Sequence, residues 1–280
     1  LLMLSLYLAN NTKRLKFGCG FNITPMWHPL RLAEDFAMAD ILTNGRVIFG
    51  VGRGYHSREV ETFGSPMLDG DANRELFEEQ VEVLIKALSE ESFSHQGKHY
   101  KIPADVEYRG YQLKELSVVP RPLNQPVDIW QPLVSGNPRG IDFMAKKGIK
   151  ALVANTPEPI REERLSTYQK TAQEYGRNLQ LGEDIAFGYR FFIGDSKEKA
   201  IEEAKPYFEE AMKFAAPLGL MQLRPEQISA VGNRAMAPFT DLPSLEAAVE
   251  NNVWLCGSAE SIAEHLKEVE AKYPGVERVN

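Results

Sequence analysis

Strand-like and helix-like segments alternate along almost the whole chain, and no other feature narrows the fold as much. Strand candidates lie at 15–23, 47–51, 127–134, 149–154 and 185–193, and a last one begins at Gly275. Between them apolar residues return at helical spacing. Ala33, Phe36, Ala37 and Ile41 form one stripe; Phe77, Val81, Leu84, Ile85 and Leu88 form another, with Glu75, Glu78, Glu79 and Glu82 outside it. Further helices are expected at 141–147, 159–175 and 197–214, and from Ser258, a residue suited to cap a helix. Strands joined through helices run parallel, which leaves a doubly wound sheet or an eight-fold barrel. The visible strands, with one or two units expected to be missing at the front, favour an α/β fold of the (β/α)8 TIM-type barrel class. It is read as one domain over residues 1–280, incomplete at both ends. Residues 90–126 and 215–254 break the rhythm as two insertions, the first with a small hairpin over 93–100.

Composition limits the function classes. Of 280 residues 43% are hydrophobic, enough for a large core. Acidic residues outnumber basic ones 39 to 32, and the net charge of −7 argues against nucleic acid as a partner. Two cysteines, Cys19 and Cys256, make neither a disulfide framework nor a metal cluster, so a cytoplasmic setting is expected. No apolar run approaches the ~20 residues of a membrane span. The apolar opening Leu1 to Ala9 reads as a core helix ending near Lys13 and Arg14, not as a signal peptide.

Candidate chemistry gathers where strands end. In Arg46-Val47-Ile48-Phe49-Gly50-Val51-Gly52-Arg53-Gly54, an apolar strand runs into alternating glycines that enclose an arginine. Gly52 and Gly54 imply a close approach of the backbone, and the planar fork of Arg53 suits a phosphate or carboxylate. The alternative is a surface arginine paired with Glu59 or Glu61. Arg46, at the other end of the strand, is expected to pair with Asp40, which falls on the buried stripe of its helix. A second loop, Ser135-Gly136-Asn137-Pro138-Arg139-Gly140, leads into a helix. Its backbone N–H groups could receive a phosphate beside Arg53, with Ser135 or Asn137 adding a contact, or Asn137 could simply cap the helix. His56 either handles protons over a bound ligand or is a solvated loop histidine. The chain lacks a nucleophile elbow, a P-loop and zinc spacing, which assigns the reactive chemistry to a cofactor.

The run His28-Pro29-Leu30-Arg31-Leu32-Ala33-Glu34-Asp35, Gly45-Arg46, Phe49 to Gly54, Glu59 and Phe63-Gly64 resembles the bacterial luciferase-like flavin monooxygenases. Gln96-Gly97-Lys98-His99-Tyr100, Pro120-Arg121-Pro122 and Cys256-Gly257-Ser258-Ala259-Glu260 are similar to that family too. The resemblance implies a barrel binding reduced FMN, supplied by a separate flavin reductase, which meets O2 and oxygenates a small organic substrate. It places the phosphate arginine at Arg53, with Gly52, Ser135, Gly136, Asn137 and Gly140 around the cofactor. The family serine falls at Asn137, so Asn137 or Ser135 is expected to replace it. The luciferase cysteine falls on Gly52, which argues against light emission. A non-proline cis peptide is expected near Gly20 and Phe21. A homodimer or a related heterodimer is implied. The alternatives are a deazaflavin (F420)-dependent oxidoreductase on the same barrel and a non-catalytic partner subunit.

Overall fold

The computed structural model describes residues 2–134, 136–216 and 242–279. Its contacts fall into two compact units, Leu1–Pro132 with Gly148–Lys150, and Leu133–Lys147 with Ala151–Asn280.

In the first unit the order is α1 (Leu2–Asn10), β1 (Phe17–Gly18), β2 (Asn22–Ile23), α2 (Pro29–Leu42), β3 (Val47–Gly52), α3 (Ser57–Val60) and α4 (Gly70–Ser89). Two hairpins follow, β4 (His95–Gln96) with β5 (Lys101–Ile102) and β6 (Glu107–Tyr108) with β7 (Tyr111–Gln112), and then β8 (Ile129–Pro132). The strand β3 organises this unit. It pairs in parallel with β1 at Phe17↔Val47, with β2 at Asn22↔Val51 and with β8 at Phe49↔Ile129. Val47, Phe49 and Val51 are buried, and Phe36 of α2 lies on Phe49 with ring centroids 4.3 Å apart. The strand expected over 15–23 is instead two short ones, separated by the cis peptide Gly20–Phe21.

Arg46 does not pair with Asp40. Its guanidinium donates to the carbonyls of Ala9 (3.0 Å), Leu15 (3.2 Å) and Thr43 (2.8 Å), and to Thr12 Oγ1 (3.2 Å). The last carbonyls of a helix lack intrahelical donors and carry partial negative charge. Arg46 supplies the cation there. Asp40, fully buried, instead accepts from the backbone and side-chain N–H groups of Asn124, each at 3.0 Å. Arg121, between Pro120 and Pro122, caps the far end of α4 in the same way, donating to Ala87 and Leu88 carbonyls at 3.0 Å.

One carboxylate holds the first hairpin. Glu79 accepts from the backbone N–H groups of Lys98, His99 and Tyr100 and faces His95 Nε2 at 3.1 Å. A side chain at Gly97 would collide with it, since a Cβ there would lie 2.1 Å from Glu79 Oε1.

The second unit holds α5 (Pro138–Lys147), β9 (Lys150–Ala154) from Ala151 onward, α6 (Glu158–Glu174), β10 (Ile185–Gly188), β11 (Arg190–Ile193) and α7 (Lys197–Ala215). After residues 217–241 come α8 (Leu245–Glu250), β12 (Trp254–Gly257), α9 (Ala259–Lys272) and β13 (Arg278–Val279). β10 lies between β9 and β13, parallel to both. The single strand expected over 185–193 changes partner at Tyr189, because β11 pairs with β12. Ser258 caps α9 as expected, its Oγ accepting from Ser261 N–H at 3.2 Å. Both cysteines are free thiols, and burial pushes each thiol pKa up.

Candidate cofactor site

The glycine-arginine turn after β3 is shaped chiefly by the chain itself. A Cβ at Gly50 would sit 2.1 Å from the Cys19 carbonyl oxygen, so that glycine admits the neighbouring β1–β2 backbone, not a ligand. Gly54 takes φ +88°, a left-handed conformation that glycine adopts without cost, and a Cβ there would strike Val60 at 2.4 Å. Gly52 is less restricted, with Phe21 Cβ 3.2 Å from a built Cβ. The guanidinium of Arg53 is held by a residue that sequence reasoning missed. Asn73, fully buried in the first turn of α4, accepts from Arg53 Nη1 at 3.1 Å. Its amide N–H groups donate to the Arg53 carbonyl (3.1 Å) and the Pro66 carbonyl (2.9 Å). Both the backbone and the side chain of Arg53 are therefore set by one amide. An asparagine near a helix start gives no sequence signal for this, since there it reads as an ordinary helix-start residue.

His56 caps α3. Its Nδ1 accepts from Arg58 N–H at 3.2 Å, which places the proton of the neutral ring on Nε2. Three residues on, Glu59 Oε2 is buried without a hydrogen-bond partner among the described residues.

In the second unit, Ser135 lies outside the described residues. Gly136 takes φ +62°, again a conformation suited to glycine. Asn137 acts as the cap of α5: its Oδ1 accepts from Gly140 N–H at 3.3 Å and its carbonyl accepts from Ile141 N–H at 3.1 Å. Beside this loop lies Arg164 of α6, whose Nε would be 3.6 Å from a Cβ at Gly136. Arg164 donates to two neutral acceptors, the Leu133 carbonyl at 3.5 Å and Thr156 Oγ1 at 3.2 Å. Burial lowers its pKa. It was not singled out from the sequence because it sits mid-helix, far along the chain from the loop.

Each unit thus presents an arginine that donates to a neutral side-chain oxygen and lies next to a glycine in the left-handed region. Guanidinium groups and N–H donors fit a phosphate, whose oxygens need several donors at once.

The sequence profile of the luciferase-like monooxygenases matches residues 2–277, and the chain belongs to that family, a family of flavin-dependent oxidoreductases. It is similar to the oxygenase component of a flavin-dependent trigonelline monooxygenase from Acinetobacter baylyi, 28% identical over 277 residues that cover 94% of this chain and 69% of the relative. Among solved structures, it resembles the oxygenating constituent of 3,6-diketocamphane monooxygenase from Pseudomonas putida in complex with FMN. There the TM-score is 0.72 at 19% identity, over 100% of this chain and 75% of the other. An F420-dependent secondary alcohol dehydrogenase gives a TM-score of 0.67 at 16% identity, over 98% of this chain and 75% of the other. These structures carry the fold, and the expected (β/α)8 barrel class is the one this chain has. Among the described residues, no helix is long and apolar enough to cross a membrane.

Proposed function

We propose that this chain is the oxygenase of a two-component monooxygenase, using reduced FMN and O2 to oxygenate a small organic substrate. The observation that carries the reading is Arg53, fixed by Asn73 with its fork at the end of β3. A guanidinium whose direction is fixed by a buried amide offers its planar fork in one orientation, as recognition of the phosphate of FMN requires. The backbone of Gly136 and Asn137, with Arg164 beside it, forms the second donor group, the Gly140 N–H being taken by Asn137 Oδ1, and each group by itself suits phosphate oxygens. Gly52 leaves the strand end without a side chain. Reduced flavin, when bound, supplies the electrons that activate dioxygen. His56, with its proton on Nε2, is assigned to proton handling, with the backbone of α3 fixing its tautomer.

The similarity to an oxygenase component supports a separate flavin reductase as the partner, and membership of this family supports a homodimer or a dimer with a related chain. The similarity to an F420-dependent enzyme keeps a deazaflavin as the second reading, and the absorbance of the bound cofactor separates the two. The direct test is a titration with reduced FMN, monitored by flavin fluorescence. Arg53→Ala is expected to weaken binding by ~10- to 100-fold, the ~1.5–3 kcal/mol of a hydrogen bond to a charged group, with a smaller loss of stability because Asn73 Oδ1 loses a donor. Unchanged affinity sinks the assignment.

A further inference from the structure

The second unit contains a cavity of about 640 Å³ between the end of α7, α8 and the β11–β12 pair. That size falls within the ~300–1,000 Å³ of small-molecule sites. Its walls are largely apolar, with Phe208, Met212 and Trp254 prominent. Trp254 is fixed on two sides. Phe208 meets it edge-on at 5.7 Å, and Arg190, its direct partner across the β11–β12 ladder, lies with its guanidinium 5.7 Å from the ring centroid. Of the described residues lining the cavity, Arg190 alone is charged. The polar groups around it differ in how they are used. Ser244 is spent on capping α8, and Asn251 donates to the Ala247 carbonyl at the other end of that helix. Arg190 makes no ion pair among the described residues and lies over the ring of Trp254. An arginine lying over an aromatic face keeps its outer edge, with its donors in a planar fork, turned to whatever enters the cavity.

A large apolar chamber with a single cation and no carboxylate among its described walls selects for charge as well as for shape. A neutral apolar ligand would not use the guanidinium's donors, and a cation would be repelled by it. We propose that this cavity binds a small amphipathic organic anion, its aromatic or aliphatic body against Phe208, Met212 and Trp254 and its carboxylate on the fork of Arg190. The flavin assignment plays no part in this. The cavity, its residues and the readout below involve no cofactor, so either reading can fail alone.

The test is isothermal calorimetry on the full chain without flavin, using benzoate, its neutral isostere benzamide, and inorganic phosphate. Benzoate is expected to bind saturably, at least tenfold more tightly than benzamide, and to change the tryptophan fluorescence, which phosphate should leave unchanged. Trp254→Phe should remove that fluorescence change. Arg190→Gln, at an exposed position, should bring benzoate down to the level of benzamide while benzamide itself is unaffected. The proposal is overturned if benzoate and benzamide bind the unsubstituted chain alike, if neither binds, or if phosphate produces the same Trp254-dependent fluorescence change as benzoate. It also fails if Arg190→Gln leaves the preference for benzoate intact. The comparison of benzoate with benzamide needs no variant, so a folding defect in Arg190→Gln would not protect it.

Discussion

The two ends of β3 each carry an arginine, and they use the same side chain for opposite purposes. Arg46, before the strand, commits its guanidinium to the carbonyls at the end of α1 and in the turn after α2, and lies 5.8 Å from the centroid of Phe17. Arg53, after the strand, is gripped by Asn73 at one nitrogen and through its own carbonyl. The first arginine closes a helix; the second is aimed by one. Both readings respect the polarity of parallel α/β units, in which the N-terminal ends of strands serve stability and the C-terminal ends carry chemistry. What separates the two is the acceptor. The carbonyls of Ala9, Leu15 and Thr43 occupy several donors of the Arg46 guanidinium, whereas the buried amide of Asn73 orients that of Arg53.

Substitutions at these positions can break or sharpen that contrast. The largest effect is expected at Asn73. Asn73→Ala leaves two part-buried carbonyls, those of Arg53 and Pro66, without the donor that the fully buried Asn73 supplies. The cost should be about 3 kcal/mol in urea denaturation, at ~1–3 kcal/mol for each orphaned group. The same variant should weaken reduced-FMN affinity by about tenfold, because the guanidinium loses its orienting partner. If affinity stays intact while stability falls, Asn73 serves the fold alone. Next comes Arg46→Ala, expected to cost about 2 kcal/mol by exposing the end of α1. Flavin affinity should not move, and a loss there would erase the distinction between the two arginines.

The smallest effect belongs to the helix that presents Asn73. Farther along α4, Glu79 clasps the first hairpin. Burial raises the carboxyl pKa, but hydrogen bonds from the His99 and Tyr100 backbone and the His95 side chain outweigh it, so the group ionises below the ordinary carboxylate range. A carboxyl whose pKa is depressed by folding stabilises the native state above its unfolded pKa. That contribution disappears as pH falls through the lower, folded value. Urea midpoints measured on the acid side should therefore decline less steeply for Glu79→Gln than for the unsubstituted chain. At neutral pH the variant should be slightly less stable.

Much of the fold was legible because its signals are local. The stripes over α2 and α4, the cap at Ser258 and the strand Val47–Val51 follow from spacing and side-chain type, and each is present. The failures share one cause. The strand expected over 15–23 and that over 185–193 each split because a neighbouring element, not the local sequence, determines where pairing stops. The hairpin Glu107–Gln112 escaped notice because its strands are two residues long and exposed. Asp40 and Arg46, close in sequence, were paired by proximity, but each found its partners far along the chain, in Asn124 and in Ala9. The glycines after β3 were credited to an approaching ligand, and Gly50 and Gly54 turned out to admit protein atoms instead.

The sequence by itself determined the class of fold, the family and the position of Arg53, since these rest on periodicity and on residues grouped within a few positions of one another. Tertiary structure alone decided what each polar side chain answers to: Asn73 for Arg53, the end of α1 for Arg46, a hairpin backbone for Glu79, the Gly136 loop for Arg164 and a tryptophan face for Arg190. The reason is range. Hydrophobic patterning repeats within one helix or strand and can be read there, while a buried hydrogen bond is satisfied by whichever donor the fold brings near, at any separation along the chain.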